Sequence, residues 1–353
     1  MEQINVIGEL NEKNIFQSIL KKPIELYEPN DDLVINLTQC TWIANSVIPD
    51  LLIFGEQINV QKGIKPILFI PSDGKDVSRI KEYLWDIRFV YYAEMYEIFD
   101  TRYLRKSDES EYMKRMMPDY CITCGYGHGG YKNSYIQKNE EDRMKMDVLN
   151  RYSEIFRKYL HQYYYAKVKT DDDGRKQYIE FNSIQQFIIQ IALNAFHHGH
   201  RQVYISMQGN RKDGECSIAI SDNGQGMANS IVDKDEPMAL YSEEHFIQFT
   251  DYQRDIVACV EALAYRYDDS VYGLFNVMNE LLAIRGWMLI HTDNSQICID
   301  GACKKYIKNI SDRKSFARGL MRYLKDMPDR RTQTPYFCGT HFKIFFPVEG
   351  DRT

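Results

Sequence analysis

Apolar and polar positions in the first hundred residues switch repeatedly between two periods. Leu33-Val34-Ile35-Asn36-Leu37 is a short apolar run that predicts a buried strand. From Ile48 to Val60 the period becomes helical, with Leu51, Leu52, Phe54 and Ile58 on one side and Gly63 as the stop. Pro66-Ile67-Leu68-Phe69-Ile70 predicts a second strand. Pro71-Ser72-Asp73-Gly74 predicts a turn, and Val77 to Leu84 a second helix. Strands alternating with helices are the pattern of an α/β unit.

The stretch from 101 to 141 is polar and rich in Tyr and Gly, and predicts a connector. From about Asp142 the pattern changes. Met146 to Tyr165 places Leu149, Tyr152, Ile155, Phe156 and Leu160 on one helical face. Asp171-Asp172-Asp173-Gly174 predicts a turn and Ile184 to Phe196 a further helix. Val203–Met207 and Cys216–Ile220 predict strands joined by a turn around Asn210–Gly214. A long, mixed, charged segment runs from Met227 to about Ser270, followed by a helix from Gly273 to Ala283. Trp287–Ile290 and Phe342–Phe346 predict the last strands.

Composition narrows the class. The 353 residues suit two domains, and 44% apolar with 27% charged residues is ordinary for globular cores. A net charge of −6 gives no general reason to expect nucleic acid as a partner. No long uncharged apolar run predicts a membrane span, and the first residues lack the pattern of a signal peptide. Eight scattered cysteines then read as reduced thiols in the cytoplasm. The 26 tyrosines are read as amphipathic packing residues.

Two segments carry the candidate chemistry. Gln190-Ile191-Ala192-Leu193-Asn194-Ala195-Phe196-His197-His198-Gly199 puts Asn194 beside the apolar side of a helix. A buried amide needs partners; a metal or phosphate would satisfy it, because a side-chain carbonyl suits a hard cation. Ser221-Asp222-Asn223-Gly224-Gln225-Gly226-Met227 ends an apolar strand in Asp-x-Gly-x-Gly. A carboxylate there can accept from an exocyclic amine, while Gly224 and Gly226 let backbone approach a ligand. Gly339-Thr340 enters the last strand and can offer an N–H and a hydroxyl. Each segment alone is an ordinary helix, turn or strand entry.

In order, these segments resemble the GHKL (Bergerat-fold) ATPase superfamily, which includes gyrase, heat-shock chaperones, histidine kinases and anti-sigma serine kinases. The resemblance covers roughly residues 142–350, with a lid at about 228–270. It implies a two-layer α/β sandwich with a mixed sheet and helices on one face. It also implies ATP or ADP as ligand, Mg²⁺ on Asn194, adenine on Asp222, and a base pocket shaped by Gly224 and Gly226. Gly273 and Leu274 match the end of the phosphate-side Gly-x-Gly-Leu box, and Thr340 the last box near adenine. Two departures matter. Gln190 stands where hydrolytic members carry a general-base Glu; it can orient water but cannot take a proton. The phosphate loop, Asp268-Asp269-Ser270-Val271-Tyr272-Gly273-Leu274, keeps one glycine and brings two acids. Hydrolysis is therefore expected to be weak or absent.

Residues 1–100 resemble the STAS fold, through strand, Thr41-Trp42-Ile43-Ala44-Asn45-Ser46 turn, helix, strand, helix. Asn45 stands where that family's signalling members carry a phosphorylated Ser, and Ser46 is read as a helix cap before a phosphoacceptor. Cys121-Ile-Thr-Cys124 is half of a zinc site with no second half in sequence, and two unligated thiols are favoured. His161 reads as a surface or packing residue, and the His197, His198 and His200 cluster as packing near the pocket. The expectation is a nucleotide-dependent conformational switch acting on a protein partner, a homodimer being a further possibility. The rivals are an anti-sigma-type serine kinase and a nucleotide-free scaffold.

Overall fold

The computed structural model describes residues 2–28, 32–70, 75–104, 121–127, 134–152, 169–170, 176–177, 181–198, 202–210, 215–232, 237–265, 274–283 and 285–347. Ten strands lie among them: β1 Glu2–Leu10, β2 Leu33–Ile43, β3 Ile67–Phe69, β4 Cys121–Tyr126, β5 Lys169–Thr170, β6 Lys176–Gln177, β7 Val203–Asn210, β8 Glu215–Asp222, β9 Trp287–Ile299 and β10 Arg331–Pro347. The α-helices are α1 Ile15–Ser18, α2 Ile48–Lys62, α3 Lys75–Asp86, α4 Phe89–Met95, α5 Ser134–Asp147, α6 Phe181–His198, α7 Gly226–Val232, α8 Glu243–Ile247, α9 Asp251–Ala264, α10 Leu274–Ala283 and α11 Arg313–Asp326.

The protein is α/β. A parallel three-stranded sheet, β1-β2-β3, forms the N-terminal unit, with α2 as the crossover between β2 and β3. A five-stranded sheet in the order β4-β7-β8-β10-β9 follows, with β5 and β6 paired as a separate short ribbon. All four pairings of the five-stranded sheet are antiparallel, which corrects the mixed sheet expected above. Two of its pairs are consecutive in sequence: β7 and β8 form a hairpin, and β9 and β10 are joined through α11; the edge strand β4 joins antiparallel to β7. β4 comes from the stretch read as a connector, so the sheet starts before residue 142. The predicted turns at 71–74 and 171–174, and His161, lie outside the described residues.

The sheet has two unlike faces because strand side chains alternate. On β8, Cys216, Ile218 and Ile220 share one face, and Ser217, Ala219 and Ser221 the other. The apolar face is covered by α6, α9 and α10, which pack on β7, β8, β9 and one another. The small and polar face receives α2 of the N-terminal unit. Asn45, at the start of the short turn before α2, accepts from Ser206 Oγ and donates to Ser217. Asp50 accepts from Ser221 Oγ at 2.8 Å, and Gln57 donates to the Cys338 carbonyl at 2.9 Å. Helices therefore lie on both faces, a second correction. The cause is in α2 itself: Leu51, Leu52, Phe54 and Ile58 are all buried, but so are Asp50 and Gln57, so this helix has no solvent stripe.

Candidate nucleotide site at the end of β8 and the bulge of β10

Asp222 ends β8 on the apolar face and is 3% exposed. Its Oδ1 accepts from the Gly224 N–H at 2.8 Å and the Thr340 N–H at 3.2 Å. The first bond closes the turn that begins the Asp-x-Gly-x-Gly segment; the second ties that turn to β10. Oδ2 takes no hydrogen bond among the described residues. Burial pushes the carboxyl up to about 6, with the two N–H groups and His341 opposing, so it is ionised at neutral pH.

Two glycines permit this geometry. Gly226 starts α7 with φ +73°, and a Cβ there would stand 2.1 Å from Asp293 Oδ2. Gly339 has φ +107°, and its Cβ would stand 2.0 Å from the Asp222 carbonyl. Gly339 sits where the β9–β10 register slips between Phe337 and Thr340, so a bulge drives its backbone against β8. Only a residue without a side chain fits that approach.

A second carboxylate faces the same turn. Asp293, on β9 with φ 46°, accepts from the Gly339 N–H at 3.4 Å and is 7% exposed. Burial, reinforced by the negative charge of Asp255, pushes it up to about 8, so it carries its proton at neutral pH. Asp255, on α9, accepts from the Asn294 N–H at 2.8 Å. Burial raises it to about 6. The neighbouring Thr292 Oγ1 accepts from the Met227 N–H at 2.9 Å, fixing the first turn of α7. Sequence reasoning passed over Asp293 and Asp255. The strand signal was read as ending at Ile290, although β9 runs to Ile299, and Asp255 lay in a segment taken for a lid. That segment holds α9, a buried helix with a capping box at Thr250 and Gln253.

The remaining candidates lie on α6 and α10. Gln190 and Asn194 are one turn apart on α6, both half-buried, and neither side chain is hydrogen-bonded among the described residues. α6 packs on β8, which carries Asp222, and on α10, which Leu274 opens. Gly273 and the preceding residues of the phosphate loop, 268–272, with Gly199 and His200, lie outside the described residues. His197 lies 3.5 Å from Glu141 of α5.

Other candidates fare differently. Cys124 is fully buried in β4, and no group of three metal-binding side chains occurs among the described residues. Ser46 is 1% exposed and donates to Glu12 Oε2 at 2.8 Å; Asn45 is 2% exposed. Asn45 belongs to the contact with the large sheet, while Ser46 is buried against Glu12 of its own unit and is not the cap read from the sequence, since Val47 holds the N-cap of α2. Among the described residues no helix is long and apolar enough to cross a membrane.

The N-terminal unit touches the site directly. Glu56 Oε1 accepts from Asn223 Nδ2 at 3.0 Å, inside the Asp-x-Gly-x-Gly segment. Cys338, whose carbonyl holds Gln57, donates its thiol to the Gly224 carbonyl at 2.8 Å. α2 is thus bonded both to the turn that follows β8 and to the bulge within β10, the two segments that frame Asp222. No family model, curated protein or solved structure matches the chain.

Proposed function

We propose that this chain binds an adenine nucleotide, with Mg²⁺ when phosphates are present, and that occupancy changes a surface read by a protein partner. The carrying observation is the half-satisfied carboxylate of Asp222. Two backbone N–H groups fix its orientation through Oδ1, leaving Oδ2 to accept from an exocyclic amine. Thr340, adjoining that carboxylate, offers a hydroxyl beside the base. Asn194 offers an unbonded carbonyl on the helix packed against β8, suited to a hard cation or its water. Helices α6 and α10 against a sheet ending in Asp-x-Gly-x-Gly support a GHKL-like unit, and the β2-turn-α2-β3 crossover supports a STAS-like one. Gln190 has no basic group, so turnover is slow or absent. The bonds from Asn223 and Gly224 to α2 and Cys338 give pocket occupancy a route to the N-terminal unit.

Calorimetric titration with ATP and with ADP, with and without Mg²⁺, tests this on the full chain and on Asp222→Asn. The substitution keeps an oxygen for the two N–H groups and turns the other atom into a donor. Expected is binding by the parent, Mg²⁺-dependent for ATP, and a loss of tenfold or more in the variant. No binding by folded, nucleotide-free protein would overturn the proposal. The buried polar contact between α2 and the sheet would then favour a nucleotide-independent scaffold. Transfer of labelled γ-phosphate to a protein would instead identify a serine kinase.

A further inference from the structure

Helix α11 presents one basic face to solvent. From Arg313 to Lys325 it carries five cations, Arg313, Lys314, Arg318, Arg322 and Lys325, and no acid. Arg313 turns inward and pairs with the buried Glu261 at 3.3 Å. The other four are exposed. At about 100° per residue they fall within roughly 80° of one another, opposite the buried Phe316, Leu320 and Tyr323. The stripe runs for about 16 Å at 1.5 Å per residue. None of the four has a carboxylate partner among the described residues.

An ordinary solvent face mixes both signs, because like charges at i and i+4 repel. Here Lys314–Arg318 and Arg318–Arg322 are both such pairs. Lys314 also sits in the first turn, where the helix dipole disfavours a cation. A stripe kept at that cost, in a chain of net charge −6, is a local positive field.

The C-terminal half of the stripe opens into a cavity of about 480 Å³. Arg322, Lys325 and Arg331 line its rim, with Asp326 as its one acid. Met321, Leu324 and Ile256 supply an apolar floor, and Tyr241 a wall. That wall is built into the fold. Glu261 accepts from the Ala239 N–H at 2.9 Å and the Leu240 N–H at 2.7 Å, the two residues before Tyr241. Phe249 braces the Tyr241 ring edge-to-face with centroids 5.0 Å apart.

We infer that α11 and this cavity bind single-stranded nucleic acid, the backbone running along Lys314, Arg318, Arg322 and Lys325 and one base entering beside Tyr241. A line of cations leading to an aromatic in an apolar recess matches what a flexible strand offers: regularly spaced phosphates and a planar base. A duplex keeps its bases stacked and would leave the recess empty. The site lies on different elements from Asp222 and stands or falls independently of the nucleotide proposal.

Fluorescence anisotropy of the full chain with a labelled oligothymidylate of about a dozen nucleotides tests it. Four neutralised phosphates predict a slope of about −3 for log affinity against log salt. Arg318→Glu combined with Arg322→Glu lies wholly on the solvent face, so it should melt like the parent and lose tenfold or more in affinity. Tyr241→Ala should lose about tenfold with the salt slope unchanged, and Asp222→Asn should bind the strand normally. No binding at low salt, or equal binding by the charge-reversed variant, would overturn the inference. So would a free mononucleotide binding as tightly as the strand, which would leave a small-anion pocket. Binding to phosphatidylserine vesicles without binding to the oligonucleotide would overturn it in favour of a membrane surface.

Discussion

Lys343 Nζ of β10 lies 2.6 Å from Asp50 Oδ2 of α2, and both side chains are sealed from solvent. Asp50 Oδ1 meets His341 Nδ1 at 3.0 Å and Ser221 Oγ at 2.8 Å. One carboxylate of the N-terminal unit thus binds three residues on two strands of the large sheet. Burial by itself would raise this carboxyl, but the Lys343 charge and His341 hold it well below the usual carboxylate range. Removing it strands a buried ammonium, so Asp50→Ala should cost about 3–5 kcal/mol in urea denaturation. Replacing both partners, Asp50→Leu with Lys343→Met, should recover most of that. The folded group titrates below the unfolded one, so its contribution is present above about pH 4 and fades as pH falls further. The acid limb of the stability curve should flatten in the double variant.

Glu56 has the opposite sign. Burial raises its carboxyl to about 8, against one hydrogen bond from Asn223 that lowers it. Glu56 Oε2 and Asn223 Oδ1 are both buried without a partner. A protonated Glu56 can donate from Oε2 to Asn223 Oδ1, and a glutamine can do the same with its amide. The folded group holds its proton up to about pH 8 while the unfolded one loses it near pH 4. Stability is thus fullest below pH 4 and falls as pH rises to 8. Glu56→Gln should be near neutral at pH 4 and increasingly stabilising toward pH 8. Paired melting curves across that range check it, and a constant or reversed difference would count against protonation.

Nucleotide affinity should itself depend on pH. Asp222 loses its charge below about pH 6, and a neutral carboxyl is the weaker acceptor for an amine. ADP affinity should hold from pH 8 to 6.5 and then fall by up to tenfold per pH unit. Asp222→Asn should bind weakly with no such inflection. A parent profile flat down to pH 5 would remove Asp222 from base recognition.

Most of the elements were legible from the spacing of apolar residues; their extent and partners were not. Strand-rich runs at 33–37, 203–207, 216–220 and 342–346 each became part of a strand, and Ile184–Phe196 lies inside α6. β1 was missed because its burial is irregular, with Ile7 72% exposed. β9 and β10 were cut short because Thr292, Asp293, Ser295 and Thr334 are polar yet buried, which local hydrophobicity cannot signal. The same limit hid the contact between units. Ser206, Ser217, Ser221 and Lys343 look like an outward strand face until Asn45 and Asp50 are known to face them. Asp222, Gly224 and Thr340 were picked out by local motifs and are joined by hydrogen bonds, and Gly226, from the same motif, approaches Asp293 instead. Asp293 and Glu56 meet them only through tertiary contact.

Gly339 gives the site a sharp test by substitution. Alanine there must hold a φ of +107° and displace the Asp222 carbonyl, which is backbone and cannot step aside. Gly339→Ala should therefore cost about 2–5 kcal/mol, strain and overpacking together. Any folded fraction should bind nucleotide poorly, because the Thr340 N–H moves with residue 339. Gly301 has nothing within 4 Å of an added Cβ and makes the control. Gly301→Ala should melt within about 0.5 kcal/mol of the parent. Equal melting of the two variants would refute the close approach.

The last expectation concerns whether the chain divides where its sequence suggested. The sheet face toward α2 carries Ser206, Ser217, Ser221, His341 and Lys343, all but Ser217 fully buried. Their partners Asn45 and Asp50 come from the N-terminal unit, as do Tyr83 for Gln208, Gln57 for the Cys338 carbonyl and Glu56 for Asn223. A fragment starting at Cys121 loses all of these together. It would also bare the ring of Tyr204, now fully buried and edge-to-face with Tyr96 of the N-terminal unit. Solvent could hydrate the serines and the lysine, but not the aromatic and β-strand surface beside them. The fragment should lack near-ultraviolet dichroism and a cooperative melt, and co-expression with residues 1–104 should restore both. A fragment from Cys121 that melts cooperatively and binds nucleotide alone would show two separable domains, with the α2 contact as a docked interface.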